Sequence, residues 1–308
     1  MGTICDVEDI VTLHYPDVRQ ANWELLCEAA SKQGIRLISW EPHRLQIYCM
    51  DDGIWGSYDG KRVRPGVILH RTVAAFQGIV IPALKLWASE GTVVLNEPDA
   101  AYRSRDKLLT SIVLQRAQIP IVRTIAFVEP SAEAMDPLKD RRVILKPAHG
   151  VRGERIQAFW STDELLAAWG DNGEQPSPSP AAREHYVAQP LVNGGGRDLR
   201  AFVVDGACVA LMQRLAAPGE VRANLALGAT GTQLPLDHPA AHTAVSALDA
   251  CQLDYGGVDL IEDDDGVIRV LEVDAWAGFA GISAATGRDV AGAILQLAMT
   301  RRLEGAST

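Results

Sequence analysis

The sequence predicts an α/β chain assembled from α+β subdomains, and three observations lead there. Helix-period and strand-period segments alternate through the first ~96 residues. A β-rich stretch punctuated by glycine and proline follows, and the chain then closes on an acidic two-strand hairpin and an amphipathic helix. With 308 residues, 47% of them hydrophobic, there is apolar material for one large domain or a few smaller ones. A formal charge of −10 argues against a general nucleic-acid or membrane-surface binder, which needs a basic footprint. Any anionic ligand must then be met by locally clustered Lys and Arg. No apolar run approaches the ~20 residues of a membrane span. The N-terminus has neither the charged start nor the apolar core of a secretory signal. Five cysteines without Cys-x-x-Cys spacing predict reduced thiols in a cytoplasm.

In chain order, a helix is expected over Arg19 to Gln33, then Gly34 and a strand over Ile35 to Ser39. The apolar run Gly66 to Leu69 predicts a strand ending at His70-Arg71-Thr72. A helix over Ala74 to Glu90 precedes the strand Thr92 to Leu95, which Asn96-Glu97-Pro98 breaks. One helix over Ser104 to Arg116 carries Lys107. Val122 to Val128 and Val143 to Pro147 predict strands, and the Pro/Ser-rich stretch Gly170 to Pro180 has too little apolar content to pack. Strands follow near Tyr186 to Gln189, Leu199 to Val204 and Ala207 to Gln213. The hairpin Val258 to Glu262 and Val267 to Asp274 precedes a last helix over Asp289 to Arg301.

The hairpin carries the strongest chemical signal. Side chains alternate along a strand, so Glu272 and Asp274 share a face. Centring the hairpin on Asp263-Asp264-Asp265-Gly266 sets Asp259 opposite Val270, on that same face. Carboxylates converging between buried-looking Val270, Leu271 and Val273 repel unless cations sit among them. Hard oxygen donors of this kind suit Mg²⁺ carried by a nucleotide. A solvated acidic turn explains Asp263, Asp264 and Asp265 but not Glu272 and Asp274.

Other motifs are weaker alone. Lys146-Pro-Ala-His-Gly150-Val-Arg-Gly153 follows a buried-looking strand and suits polyphosphate binding, although a plain hairpin loop also explains it. Gln189-Pro190-Leu191 could offer backbone groups to an adenine edge, as many loops could. Asp198 and Arg200 share a strand face, and Arg214 and Arg222 follow; an anion site and a solvated surface both fit them. The histidines form no metal pattern, and without a Gly-x-Ser-x-Gly elbow a covalent hydrolase has little support.

Taken in order, these features resemble the ATP-grasp superfamily, and most closely its RimK-like amino-acid ligases, from about Asn96 to Leu297. The points of resemblance are Asn96-Glu97 with Arg103 to Lys107, Lys146 with its glycine loop, Gln189 to Val192, Asp198-Leu-Arg200, Arg214 with Arg222-Ala223-Asn224, Gly257-Val-Asp259, Leu271 to Ala275 and Thr286 to Gly292. The resemblance implies an ATP-grasp fold. A pre-ATP-grasp α/β domain would occupy 1–96, a small central lobe 97–187 and a C-terminal lobe with the metal site 188–308.

It further implies ATP and Mg²⁺ as cofactors, with Mn²⁺ an alternative. Lys107, Lys146, Gly150, Gly153, Gln189, Pro190, Leu191, Asp198, Arg222, Ala223 and Asn224 would bind the nucleotide. Lys146 and Arg214 would stabilise the moving phosphoryl group, and Asp259, Glu272 and Asp274 would hold metal. Asp274 stands where the family usually has asparagine, and Asp274-Ala-Trp276-Ala-Gly278 replaces the common Asn-Ala-Ser-Pro-Gly. Trp276 is then either a core anchor or part of the acceptor wall, with Arg71 and Arg200 as further substrate candidates. The implied reaction adds an amine, L-glutamate by resemblance, to the carboxylate of a coenzyme or small metabolite. Ligation to a protein tail and phosphotransfer without ligation are the alternatives. Neither nucleic acid nor membrane is an expected partner, and a homo-oligomer is left open.

Overall fold

The computed structural model describes residues 4–14, 20–71, 76–149, 155–171, 185–192, 196–218, 223, 225 and 228–305. The first sheet is built from β1 (Cys5–Leu13), α1 (Gln20–Gln33), β2 (Leu37–Trp40), β3 (Leu45–Met50), β4 (Gly53–Tyr58), β5 (Lys61–Leu69), α2 (Gln77–Ser89) and β6 (Val93–Leu95). Its order is β2-β1-β5-β4-β3, with β6 also on β5. β1, β2, β5 and β6 run parallel, whereas β3 and β4 form an antiparallel hairpin that the sequence reading did not assign. Asp51-Asp52-Gly53 at its tip is the turn signal that marks it. Val67, Ile68 and Leu69 are fully buried between neighbours, so His70 and Arg71 emerge at the carboxyl ends of parallel strands. Open α/β sheets bind ligands at that edge.

The helix expected over Ser104 to Arg116 is instead α4 (Lys107–Arg116), preceded by a separate α3 (Pro98–Arg103). Glu97 caps α3, and Asp106 caps α4 by accepting the N–H groups of Leu108 and Leu109. The cap at Asp106 forces a break and leaves Lys107 as the first helical residue, at the positive end of the helix.

A four-stranded antiparallel sheet follows, from β7 (Ile125–Phe127), α5 (Ala132–Met135), β8 (Val143–Pro147), β9 (Gln157–Phe159), α6 (Thr162–Asp171) and β10 (Tyr186–Pro190), in the order β7-β10-β8-β9. Met135, Leu138, Val143, Leu145, Leu165 and Ala188 fill its core. The strand expected over Val122 to Val128 is shorter because the Val122 N–H donates to the Val270 carbonyl at 3.4 Å, alongside contacts from the two residues before it. Ile121 bridges Val270, and the Pro120 carbonyl accepts the Val270 N–H. Of the Pro/Ser-rich stretch, Gly170 and Asp171 close α6, and the rest lies outside the described residues.

The third sheet comprises β11 (Arg197–Val204), β12 (Ala207–Leu215), β13 (Thr230–Gln233), β14 (Tyr255–Glu262) and β15 (Ile268–Asp274), with α7 (Pro239–Ala250), α8 (Ala280–Thr286) and α9 (Val290–Gly305). Its order is β13-β12-β11-β14-β15, antiparallel throughout. α7 was not assigned from sequence, although Pro239 at its first position and Ala240, Ala244, Ala247 and Leu248 at helical spacing mark it. Those residues pack on Leu199, Ala201, Val258 and Val273.

The opposite face of this sheet shares one core with the first. Phe202, Ala210 and Met212 pack with Ile294 and Leu297 of α9 and with Val67, Leu69 and Leu95. Asn96 fastens the same junction. Its amide donates to the Tyr255 and Ala275 carbonyls and accepts from the Asp254 and Tyr255 N–H groups. The first sheet and the acidic hairpin are thereby held in fixed relation.

Candidate nucleotide and metal site

The hairpin register differs from the one expected. Glu262, Ile261 and Leu260 pair with Ile268, Arg269 and Val270; a bulge follows, and Asp259 then lies opposite Glu272 rather than Val270. The turn is one residue longer than Asp263 to Gly266, because the Asp263 carboxylate accepts the N–H groups of both Asp265 and Val267. Without the bulge Asp259 would oppose Leu271 and point away from Glu272. The extra residue restores the common face of Asp259, Glu272 and, opposite Gly257, Asp274. Asp264 and Asp265 are exposed, as a solvated turn requires.

Two cross-strand pairs lie beside the carboxylates. Arg200 sits opposite Asp259 and Asp198 opposite Arg214. Arg200 donates to Asp259 Oδ1 at 2.6 Å, and Arg214 approaches the same oxygen at 3.2 Å. Arg214 also makes a two-pronged bond to Asp198, both contacts at 2.7 Å. A Cβ on Gly257 would fall 2.6 Å from Arg200 Nη2, so only glycine lets this guanidinium lie across β14. Burial lifts Asp198 to about 6 despite the pull of Arg214. Burial would raise Asp259 as well, but the two guanidiniums hold it below its ordinary value. Glu272, although 40% of its side chain is open, is raised by the desolvation its neighbours impose, and the charges of Asp259 and Asp274 push the same way against Lys107 and Lys146.

The lysines close on this row from the other side. Lys107 reaches Glu272 at 3.6 Å from the start of α4. Lys146, on β8, donates to Gln189 Oε1 at 2.8 Å, and the Gln189 amide donates to Thr124 at 3.0 Å. Gln189 therefore anchors a lysine with its side chain, a link that sequence alone did not disclose. Burial lowers Lys146, partly offset by Glu272 and reinforced by Lys107. Pro190 ends β10, the Leu191 N–H donates to the Arg142 carbonyl, and Ala223 is buried. Gly150, Gly153, Arg222 and Asn224 lie outside the described residues.

The metal question turns on donor chemistry. Three carboxylates share a face; the arginine contacts of Asp259 fall on Oδ1, and Asp274 Oδ1 accepts the Trp276 N–H at 2.8 Å. An all-oxygen donor set on one strand face fits a hard divalent cation such as Mg²⁺.

A second group lies where β5 meets the loop after β15. Trp276 is buried, as a core anchor would be, and its ring meets that of His70 edge-on at 5.1 Å. Arg71 donates to the Ala277 carbonyl and lies over Phe279. Arg71 Nη1, both His70 nitrogens, His14 Nε2 and Trp276 Nε1 are buried without a hydrogen-bond partner among the described residues. Arg200, committed to Asp259, belongs with the carboxylate row rather than with this group. His14 was missed because nothing local in the sequence distinguishes it.

Burial, with the Arg71 charge adding to it, lowers His70 to about 3; Gln77 lies beside it without reaching hydrogen-bond geometry. The folded state thus releases the His70 proton that the unfolded chain keeps below pH ~6.5. Its stabilising contribution is complete above that pH and is lost as the pH falls toward about 3. Unfolding titrations between pH 7 and 4 should show stability falling by roughly 1.4 kcal/mol per unit below ~6.5 from this residue. His70→Gln should remove that increment of slope.

Residues 104–298 match the family model of the RimK-like ATP-grasp domain. A probable alpha-L-glutamate ligase 1 of Pseudoalteromonas atlantica is 33% identical over 227 residues, 71% of this chain and 70% of that one. A probable alpha-L-glutamate ligase of Halorhodospira halophila is 27% identical over 91% of each chain. Another, from Shewanella pealeana, is 30% identical over 66% of this chain, which spans only 43% of that relative's length. Among solved structures, the ATP-grasp ligase PsnB complexed with minimal precursor superposes with a TM-score of 0.74 at 22% identity, covering 96% and 99% of the chains. D-cycloserine synthetase DcsG superposes at 0.70 and 18%, covering 97% and 100%. The fold is that of the ATP-grasp ligases. The chain belongs to the RimK-like ATP-grasp family. Among the described residues no helix is long and apolar enough to cross a membrane.

Proposed function

We propose that this protein is an ADP-forming carboxylate–amine ligase that joins L-glutamate to a small carboxylate-bearing acceptor. The observation that carries the reading is the facing of Lys107 and Lys146 against the Asp259–Glu272 pair, with Arg200 and Arg214 behind it. Lys107 and Lys146 would take ATP phosphates, and Gln189 to Leu191 the adenine edge. Gly150, Gly153, Asp198, Arg222, Ala223 and Asn224 complete the proposed nucleotide site. Asp259, Glu272 and Asp274 would hold Mg²⁺, or Mn²⁺ in its place, which when bound neutralises the β- and γ-phosphates. The proposed units remain 1–96, 97–187 and 188–308, with ATP between the last two.

In the first step an acceptor carboxylate oxygen attacks the γ-phosphorus and ADP leaves. In the second, the glutamate amine attacks the acyl carbon, loses a proton, and inorganic phosphate leaves. Lys146 and Arg214 would offset the negative charge that develops in both steps, and no protein nucleophile is needed. Arg71, Arg200 and Trp276 were the substrate candidates; Arg71 and Trp276, with the unpartnered polar atoms around them, best suit an acceptor carboxylate. The names of the relatives support glutamate as the amine. Five free cysteines support a cytoplasmic setting.

The test is ADP formation with ATP, Mg²⁺, L-glutamate and a panel of carboxylate acceptors, the products weighed by mass spectrometry. A glutamyl adduct with amine-dependent ADP release is expected; a phosphorylated product without any amine would establish phosphotransfer instead. Asp274→Asn keeps the oxygen that accepts the Trp276 N–H. Its stability should stay within ~0.5 kcal/mol of wild type, with ligation in the same decade, as unfolding and turnover assays would show. Complete inactivation would mean that the extra charge has its own function.

A further inference from the structure

We propose that Asp106, His149 and His185 form a second, transition-metal site, distinct from the carboxylate row and specific for a borderline cation such as Zn²⁺. The histidines form no metal pattern along the sequence, but the fold brings together residues 36 or more positions apart. His149 Nε2 and His185 Nε2 stand 3.5 and 3.6 Å from Asp106 Oδ2, and the three donor atoms all lie within 4.8 Å of one another. Bonds of ~2.0–2.1 Å at tetrahedral angles place neighbouring donors roughly 3.3–3.4 Å apart, so a cation needs only small side-chain shifts. Two imidazoles and one carboxylate are the ligands such metals prefer, and Mg²⁺ does not.

The site is also built. Asp106 Oδ1 is occupied by the Leu108 and Leu109 N–H groups, which turns Oδ2 toward the imidazoles. All three backbones are tied through buried Ala148: its N–H donates to the His185 carbonyl at 2.9 Å, and its carbonyl accepts the Lys107 N–H at 3.2 Å. Asp106 is mostly covered, while His149 keeps 56% of its side chain exposed, which leaves an entry path and a position for water. Asp106 adjoins Lys107 and His149 lies three residues past Lys146, so an occupied site clamps the segments that carry both lysines.

Protein with its purification tag removed and stripped by chelator is titrated with Co²⁺ in excess Mg²⁺, and the visible bands of low-symmetry Co²⁺ are recorded. One equivalent should bind and be displaced by Zn²⁺, in wild type and in Glu272→Ala alike. His149→Ala and His185→Ala should each weaken binding at least ~10-fold, with circular dichroism confirming that both fold. Absence of binding by wild type overturns the proposal. So does equal affinity in both histidine variants, or loss of binding in Glu272→Ala alone.

Discussion

Glu272→Ala should lower ligation by at least ~10²–10³-fold, the loss expected when a group that organises charge at a phosphoryl-transfer centre is removed. The side chain is 40% exposed and fills no core space, so its truncation leaves the fold unharmed. It should even relieve repulsion. Glu272 faces Asp259 across the bulge, with Asp274 on the same strand face, and Lys107 stands 3.6 Å from it. The apo variant should therefore melt at or slightly above the wild-type temperature while losing the upward shift that ATP and Mg²⁺ confer. Lys146→Ala should show the same pattern, because its ammonium is held by Gln189 rather than by the packing of the sheet. Ligation at wild-type rates in either variant would remove the assignment.

Arg214→Ala should do the opposite to stability. Arg214 is 9% exposed and compensates both Asp198 and Asp259. Removing it strands the mostly covered Asp198 and leaves Asp259 to Arg200 alone, and breaking one side of a buried ion pair costs about 3–5 kcal/mol. Urea unfolding should register that loss at neutral pH. Mg²⁺ should restore part of it, because a cation that binds only the folded state stabilises by mass action and would supply the missing positive charge. A loss below ~0.5 kcal/mol, the level of an ordinary surface change, would mean that Arg214 is not what balances these acids.

The sheet elements near the site were legible because their signals are local. Alternation marked Glu272 and Asp274, and Lys146 followed an apolar run. The register was not legible. Asp259 faces Glu272 through a longer turn and a bulge whose effects on side-chain direction offset each other, so the expected face was right while the partner, Val270, was wrong. The break between α3 and α4 was readable in principle, since Asp106 is a strong cap, but the apolar period runs through it. Gln189 holding Lys146, and Asp106 meeting His149 and His185, depend on strand pairing and loop return, which no local spacing encodes.

The central claim is that the Asp259–Glu272–Asp274 row couples a divalent cation to ATP. Calorimetric titration of a non-hydrolysable ATP analogue, with and without Mg²⁺, measures that coupling directly. Wild type should bind at least ~10-fold more tightly with Mg²⁺, a coupling of about 1.4 kcal/mol, and Glu272→Ala should bind equally weakly in both conditions. If Mg²⁺ strengthens binding to the variant as much as to wild type, the carboxylate row is not the metal site.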